Sequence, residues 1–162
     1  MTIPVGAVGT VPRDPLAGKT VIDTGNYYAP RDGTIPELEA QELTDSEILQ
    51  RHLAEAHVVK AFNNINYKHL RALPRPAGAA DRTALPLAGN DPGAKKQAAG
   101  LLSLLGYDSV DMGPLTESWR SQPGTPVFCA PYTVTKDDQY RTQPAAPASA
   151  AEVRAALASA RR

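Results

Sequence analysis

Three short apolar runs that each stop at turn residues, with capped helical segments between them, constrain this chain more than any other feature. Lys19-Thr20-Val21-Ile22-Asp23 ends in Thr24-Gly25-Asn26, Val58-Val59-Lys60-Ala61-Phe62 ends in Asn63-Asn64, and Ala84-Leu85-Pro86-Leu87-Ala88 ends in Gly89-Asn90. Runs bounded in this way read as buried strands. Pro86 cannot donate to a ladder, which moves the third run toward a sheet edge or a bulge. Thr44-Asp45-Ser46-Glu47 has the form of a capping box, followed by Ile48, Leu49, His52, Leu53 and Ala56 on one helical face. Asp91-Pro92 places an N-cap before a proline at the first helical position. Ala94, Ala98, Leu101, Leu102 and Leu105 then form an apolar stripe that Gly106 stops. A short helix is expected from Tyr67 to Leu73, and a short strand from Tyr107 to Met112. Ser149-Ala150-Ala151-Glu152 opens a last helix with Val153, Ala156, Leu157 and Ala160 inward. Strands alternating with helices of this length predict an α/β chain: a mainly parallel sheet with flanking helices.

The remaining bounds are broad. A chain of 162 residues is the size of one domain and can bury a core without metals or disulfides. Lys+Arg 17 balances Asp+Glu 17, which argues against nucleic acid or an anionic membrane as partner, since both need a basic excess. The single cysteine, Cys129, excludes an intramolecular disulfide and a multi-cysteine metal site. No apolar run is long enough to span a membrane, and Met1-Thr2-Ile3-Pro4-Val5 lacks the pattern of a signal peptide. A cytoplasmic location is expected. Proline and glycine together make about one residue in six, concentrated at Pro74–Gly78, Gln122–Pro126 and Gln143–Pro147, which read as turns or linkers.

In sheets of this class, ligands lie outside the carboxyl ends of the strands, here Thr24-Gly25-Asn26, Asn63-Asn64 and Ile3-Pro4. Several motifs nearby compete for attention. Val21-Ile22-Asp23-Thr24-Gly25 resembles the loop of aspartic proteases, in which two carboxylates share a proton. Asn26 stands where that family carries Ala or Ser, and no second loop ends a strand. Gly6-Ala7-Val8-Gly9 is a weak phosphate cradle, because no GxGxxG occurs in the chain. His52 and His57 have the wrong spacing to share a helix face, so no zinc pair is expected. Cys129 reads as a small buried hydrophobe. The side-chain amides of Asn63-Asn64 can both donate to and accept from a carboxamide such as nicotinamide.

The ordered motifs carry a resemblance. Pro15-Leu16-Ala17-Gly18-Lys19-Thr20-Val21-Ile22-Asp23-Thr24-Gly25-Asn26, Arg31-Asp32-Gly33, Val58-Val59-Lys60-Ala61-Phe62-Asn63-Asn64-Ile65, Gly113-Pro114-Leu115 and Gln122-Pro123-Gly124-Thr125-Pro126-Val127 occur in one order. That series resembles the dinucleotide-binding oxidoreductases related to NADPH-dependent deazaflavin (F-420) reductase. The resemblance implies a Rossmann-type fold and hydride transfer between NADP(H) and a flavin, a deazaflavin or another small-molecule acceptor. It places Pro4 beside the nicotinamide ribose, Thr24 and Asn26 on the nicotinamide side of the cleft, and Ala61 and Asn63 at the next strand end. Tyr27, Tyr28, Trp119 and Phe128 are candidates to stack on a flat ring.

Two departures from that family shape the expectation. Its members begin with a strand, GxGxxG and a helix, whereas this sequence starts at what would be the fourth strand, ending at Thr2-Ile3-Pro4. The deazaflavin reductases also tend to carry histidine where Asn63 stands. The expected organisation is therefore a partial Rossmann-type NADP domain over residues 1–130, a Pro/Ala-rich linker over 131–148 and a C-terminal helix over 149–162. A reading frame extending upstream by roughly 70 residues, the size of two βα units, is expected with it. The alternative is a non-catalytic remnant or oligomerisation module of the same family, with self-association at an exposed strand edge.

Overall fold

A computed structural model describes residues 1–137 and 140–162 of the chain. Four strands lie side by side in chain order: β1 (Thr20–Asp23), β2 (His57–Ala61), β3 (Ala84–Gly89) and β4 (Asp108–Asp111). β1 and β2 are parallel, β3 and β4 are parallel, and the central β2–β3 pair is antiparallel. The helices are α1 (Ala29–Asp32), α2 (Pro36–Glu39), α3 (Asp45–His52), α4 (Tyr67–Ala72), α5 (Pro92–Leu104) and α6 (Ala150–Ser159). The fold is α/β and Rossmann-like, with a mostly parallel sheet and flanking helices.

Strand alternation sorts the core into layers. Val21 and Val58, opposite one another in the β1–β2 register, pack with Leu49, Leu53 and Ala56 of the α3 region, beside Val8 and Leu115. On the other face Val59, Ala61, Leu85 and Leu87 meet Ala94, Ala98 and Leu102 of α5. Val153 and Leu157 of α6, and Val110 of β4, belong to the same cluster. Burial of these side chains is the main stabilising term, at about 25 cal/mol per Å² of apolar surface.

Both capping boxes form as expected. The Thr44 hydroxyl accepts from the Glu47 N–H while the Glu47 carboxylate accepts from the Thr44 N–H, and Ser149 and Glu152 repeat the arrangement. Asp91 caps α5 through the Ala94 N–H at 2.7 Å. Gly106 ends that segment with φ of 93° against Pro74, a backbone state and a closeness that suit only glycine.

Several expectations are corrected. Pro86 lies in an interior strand, not at an edge. The Leu87 carbonyl accepts from Met112 of the β4 side, so the missing Pro86 N–H would face the β2 side. There the ladder begins only at Leu87, opposite Ala61. No ladder bond is lost. In α5 only Ala94, Ala98 and Leu102 of the expected stripe are buried, and Leu101 and Leu105 turn outward because one narrow face suffices to cover the sheet. Thr2-Ile3-Pro4 forms no strand. The Met1 ammonium donates to the Ile22 carbonyl at 2.6 Å and the Met1 carbonyl accepts from the Thr24 N–H at 3.1 Å. Pro4, without an N–H, then starts the 3-10 turn Val5–Thr10.

The stretch 131–148, expected as a linker, carries Pro131, Tyr132, Thr133 and Ala148, all buried. The Ala148 carbonyl accepts from the first residue of β3, Ala84, at 2.8 Å. Asp138 and Gln139 within this stretch lie outside the described residues. Among the described residues no helix is long and apolar enough to cross a membrane.

Candidate functional site

Because β1 and β2 run parallel, their carboxyl ends emerge together, and the chain turns there at Thr24–Asn26 and Phe62–Asn64. Asn26 and Asn63 are joined directly. Asn26 Nδ2 donates to the Asn63 carbonyl at 2.9 Å, and Asn63 Nδ2 donates to Asn26 Oδ1 at 3.1 Å. Asn63 Nδ2 also donates to the Ser121 carbonyl at 2.8 Å, and the Ser121 hydroxyl donates back to Asn63 Oδ1 at 3.2 Å. This knot fastens the two strand ends to the turn Leu115–Ser121. Asn64, beside it, donates to the Val127 carbonyl and the Tyr132 hydroxyl, and its own carbonyl holds the Cys129 N–H.

Residues that follow the knot in the chain, Tyr27 and Tyr28 after Asn26 and Gln122 and Pro123 after Ser121, line two cavities, although Asn26, Asn63 and Ser121 themselves line neither. One, of about 210 Å³, lies between Tyr27, Leu38, Leu43, Gln122 and Pro123. The other, of about 670 Å³, is bounded by Tyr28, Pro123, Thr125, Phe128, Tyr140 and Arg141. Phe128 and Tyr140 meet edge to face with centroids 5.8 Å apart. Arg31 lies over the Tyr28 ring at 5.1 Å and donates to the Asn26 carbonyl at 2.6 Å, tying this wall back to the knot. Burial, with Tyr140 nearby, keeps the Tyr28 hydroxyl protonated above its ordinary range. Phe62 and Cys129, with left-handed φ of 64° and 62°, adjoin Asn63 and Phe128, and Lys136, with φ of 54°, lines the larger cavity. Non-glycine residues in such states cost on the order of 1–3 kcal/mol and cluster at binding sites. Burial pushes the Cys129 thiol up to about 12, which keeps it a neutral, buried side chain.

Under the β1 end lies a charged group that sequence reasoning missed. Lys60 is fully buried and stands opposite Asp23 in the parallel register. Its ammonium donates to Gly25 O at 2.7 Å, Asp45 Oδ1 at 2.9 Å and Asp23 Oδ2 at 3.2 Å. Asp23 also accepts from the Ser46 hydroxyl at 2.7 Å and the Gly25 N–H at 2.8 Å. Burial drives the Asp23 carboxyl upward, but the Lys60 ammonium, the Gly25 N–H and Ser46 outweigh it and hold it below the ordinary carboxylate value. Burial likewise works against the Lys60 charge, and Asp45 and Asp23 overcome it and raise its pKa. A lysine inside an apolar strand requires buried partners, and that was the signal available in Val58-Val59-Lys60-Ala61-Phe62. With an ammonium between the carboxylates, Asp23 shares no proton with a second acid, as a protease pair must.

The expected site residues fall into three groups. Asn26 and Asn63 meet in the knot, and Thr24 stands at the same strand end, its hydroxyl 2.9 Å from that of Thr2. Ala61 belongs to the sheet core, fully buried, and reaches the site only through the backbone. Pro4 is exposed and accepts from the Ala7 N–H at 3.0 Å. Of the candidate aromatics, Tyr28 and Phe128 line the larger cavity and Tyr27 the smaller. Trp119 is elsewhere, between the Arg120 and Arg162 guanidinium groups. Among the described residues no group of histidine, cysteine and acidic side chains is arranged to hold a metal.

No family model matches the chain. A curated relative, "Putative protein YjhV" of Escherichia coli K12, is 41% identical over 54 residues, which are 33% of this chain and 39% of that protein. A crystal structure of the hypothetical protein SMa0349 from Sinorhizobium meliloti is 30% identical with a TM-score of 0.59, over 76% of this chain and 58% of that one. A 1.70 Å structure from Arthrobacter sp. FB24, described as "a putative F420 dependent NADP-reductase", is 30% identical with a TM-score of 0.57, over 72% of this chain and 54% of that one. The chain thus spans a little over half the length of these two structures. The fold is related to theirs.

Proposed function

We propose that the cleft beside the Asn26–Asn63 knot binds the nicotinamide side of NADP(H), and that the chain is a homologue of oxidoreductases that pass a hydride from it to a flavin-like or other planar acceptor. The observation that carries this reading is the position of the knot: it sits where two parallel strands end, beside a cavity walled by Tyr28, Phe128 and Tyr140. The likeness to the Arthrobacter protein supports the same chemistry.

The residues fit one half of the cofactor. A flat ring suits the aromatic wall, and Arg141 adds a cation at its rim. The pyrophosphate half is not matched among the described residues. A Cβ on Gly6 would lie 2.5 Å from the Asp32 carbonyl, so the chain itself fills that approach; α3 begins with the carboxylate Asp45, and the Asp91 carboxylate caps α5. When bound, the cofactor would supply the hydride, while the chain orients the ring and shields it from water.

Titration of NADPH fluorescence tests the reading: saturable binding below about millimolar, weakened in Asn63→Ala, supports it, and no saturation opposes it. A second reading, a non-catalytic self-association module, is favoured by one observation. Leu101, Leu104 and Leu105 are exposed together at the end of α5, Leu104 by 87%. Concentration-dependent sedimentation abolished by Leu104→Lys, with no NADPH binding, would select it.

A further inference from the structure

We infer that Lys60 is the positioning residue of this cleft: it sets the Gly25-Asn26 turn so that the Asn26 carboxamide meets Asn63. The inference rests on the nicotinamide-side reading for its function, but its geometry is independent of any ligand. An ammonium has three N–H donors. Lys60 directs one to each of Asp23, Asp45 and the Gly25 carbonyl. The first two bonds anchor the ammonium in the core, and the third grips the backbone just before Asn26.

The turn it grips is tight. Asp23 Oδ1 accepts the Gly25 N–H, and a Cβ on Gly25 would stand 3.0 Å from that same oxygen. The two peptide groups that flank the Gly25 Cα are therefore both committed: the Gly25 N–H to Asp23 and the Gly25 carbonyl to Lys60. Asn26 follows directly, and its side chain makes the two reciprocal bonds with Asn63. Movement of Gly25 O would carry those bonds with it.

The charge arrangement points the same way. Two carboxylates face one ammonium, and Asp45 Oδ2 is buried without a partner among the described residues. A balanced pair would serve packing alone, and an apolar side chain of lysine's size would serve it better. The excess negative charge sits at the first turn of α3, where the helix amides favour it. The group thus binds three elements at one point: the carboxyl ends of β1 and β2 and the start of α3.

The test uses the double variant Lys60→Met/Asp45→Asn, which removes the grip on Gly25 without leaving two opposed carboxylates, beside Lys60→Met alone. Nitrogen-15 NMR reads exchange of the side-chain amides of Asn26, Asn63 and Asn64. Asn64 serves as the internal control, since its amide hangs on Val127 and Tyr132. The expected result is a folded double variant in which the Asn26 and Asn63 amides exchange about tenfold faster or more while Asn64 is unchanged. Uniform acceleration of all three, or none, overturns the inference by reducing Lys60 to a packing role. Binding of reduced nicotinamide mononucleotide is measured in parallel. If the wild type does not bind it, the nicotinamide reading fails while the exchange result still decides the role of Lys60.

Discussion

Asn26 and Asn63, 37 residues apart, exchange hydrogen bonds in both directions across the ends of two parallel strands. Asn63 then uses its second amide hydrogen and its oxygen on Ser121. Asn63→Ala would leave the Ser121 carbonyl and hydroxyl and the Asn26 oxygen without these partners. We expect a loss of about 1–3 kcal/mol in urea denaturation, against near neutrality for a substitution of exposed Thr116.

Stability should depend on pH at both ends. The Asp23 carboxyl is depressed in the folded state, so its contribution is full above the ordinary value of 3.8 and is lost as pH falls through the folded value. The Lys60 ammonium is raised, so its contribution is full below 10.5 and is lost as pH rises through its folded value. Unfolding free energies measured from below pH 3.8 to above pH 10.5 should show both limbs. Asp23→Asn should flatten the acid limb, and an unchanged acid limb would mean that another carboxylate carries it.

Single Lys60→Met should be far more harmful than its apolar character suggests. Two buried carboxylates would lose their counter-charge, and breaking such a buried group costs about 3–5 kcal/mol. The double variant with Asp45→Asn should recover part of that loss. Thermal denaturation of the two, side by side, checks the order.

Much of the fold was legible because its determinants are local. Thr44 and Glu47, like Ser149 and Glu152, signal a helix start within four residues, and the structure places them so. The strand ends at Asn26 and Asn63 were legible for the same reason. What the sequence hid depends on register and long-range packing. Lys60 faces Asp23 only through the parallel pairing of β1 with β2, and Ser121 reaches Asn63 across 58 residues. Leu101 and Leu105 match a helical stripe as well as Leu102 does, yet only Leu102 meets the sheet.

That distinction gives a plain stability contrast. Leu102→Ala empties a fully buried site and should cost about 2–5 kcal/mol, whereas Leu104→Ala, on an exposed side chain, should stay within about 0.5 kcal/mol. Chemical denaturation of both variants measures it.

The proposal that the strand-end cleft receives a nicotinamide ring can be tested at the level of single residues. Chemical-shift mapping with reduced nicotinamide mononucleotide, against the adenosine bisphosphate half of NADP as comparison, tests it most directly. Saturable shifts are expected at Thr24, Gly25, Asn26, Asn63 and Phe128 with the nicotinamide half, and none with the adenosine half. Shifts confined to other surfaces such as the Trp119–Arg120 region, or no saturable shifts at all, would contradict it.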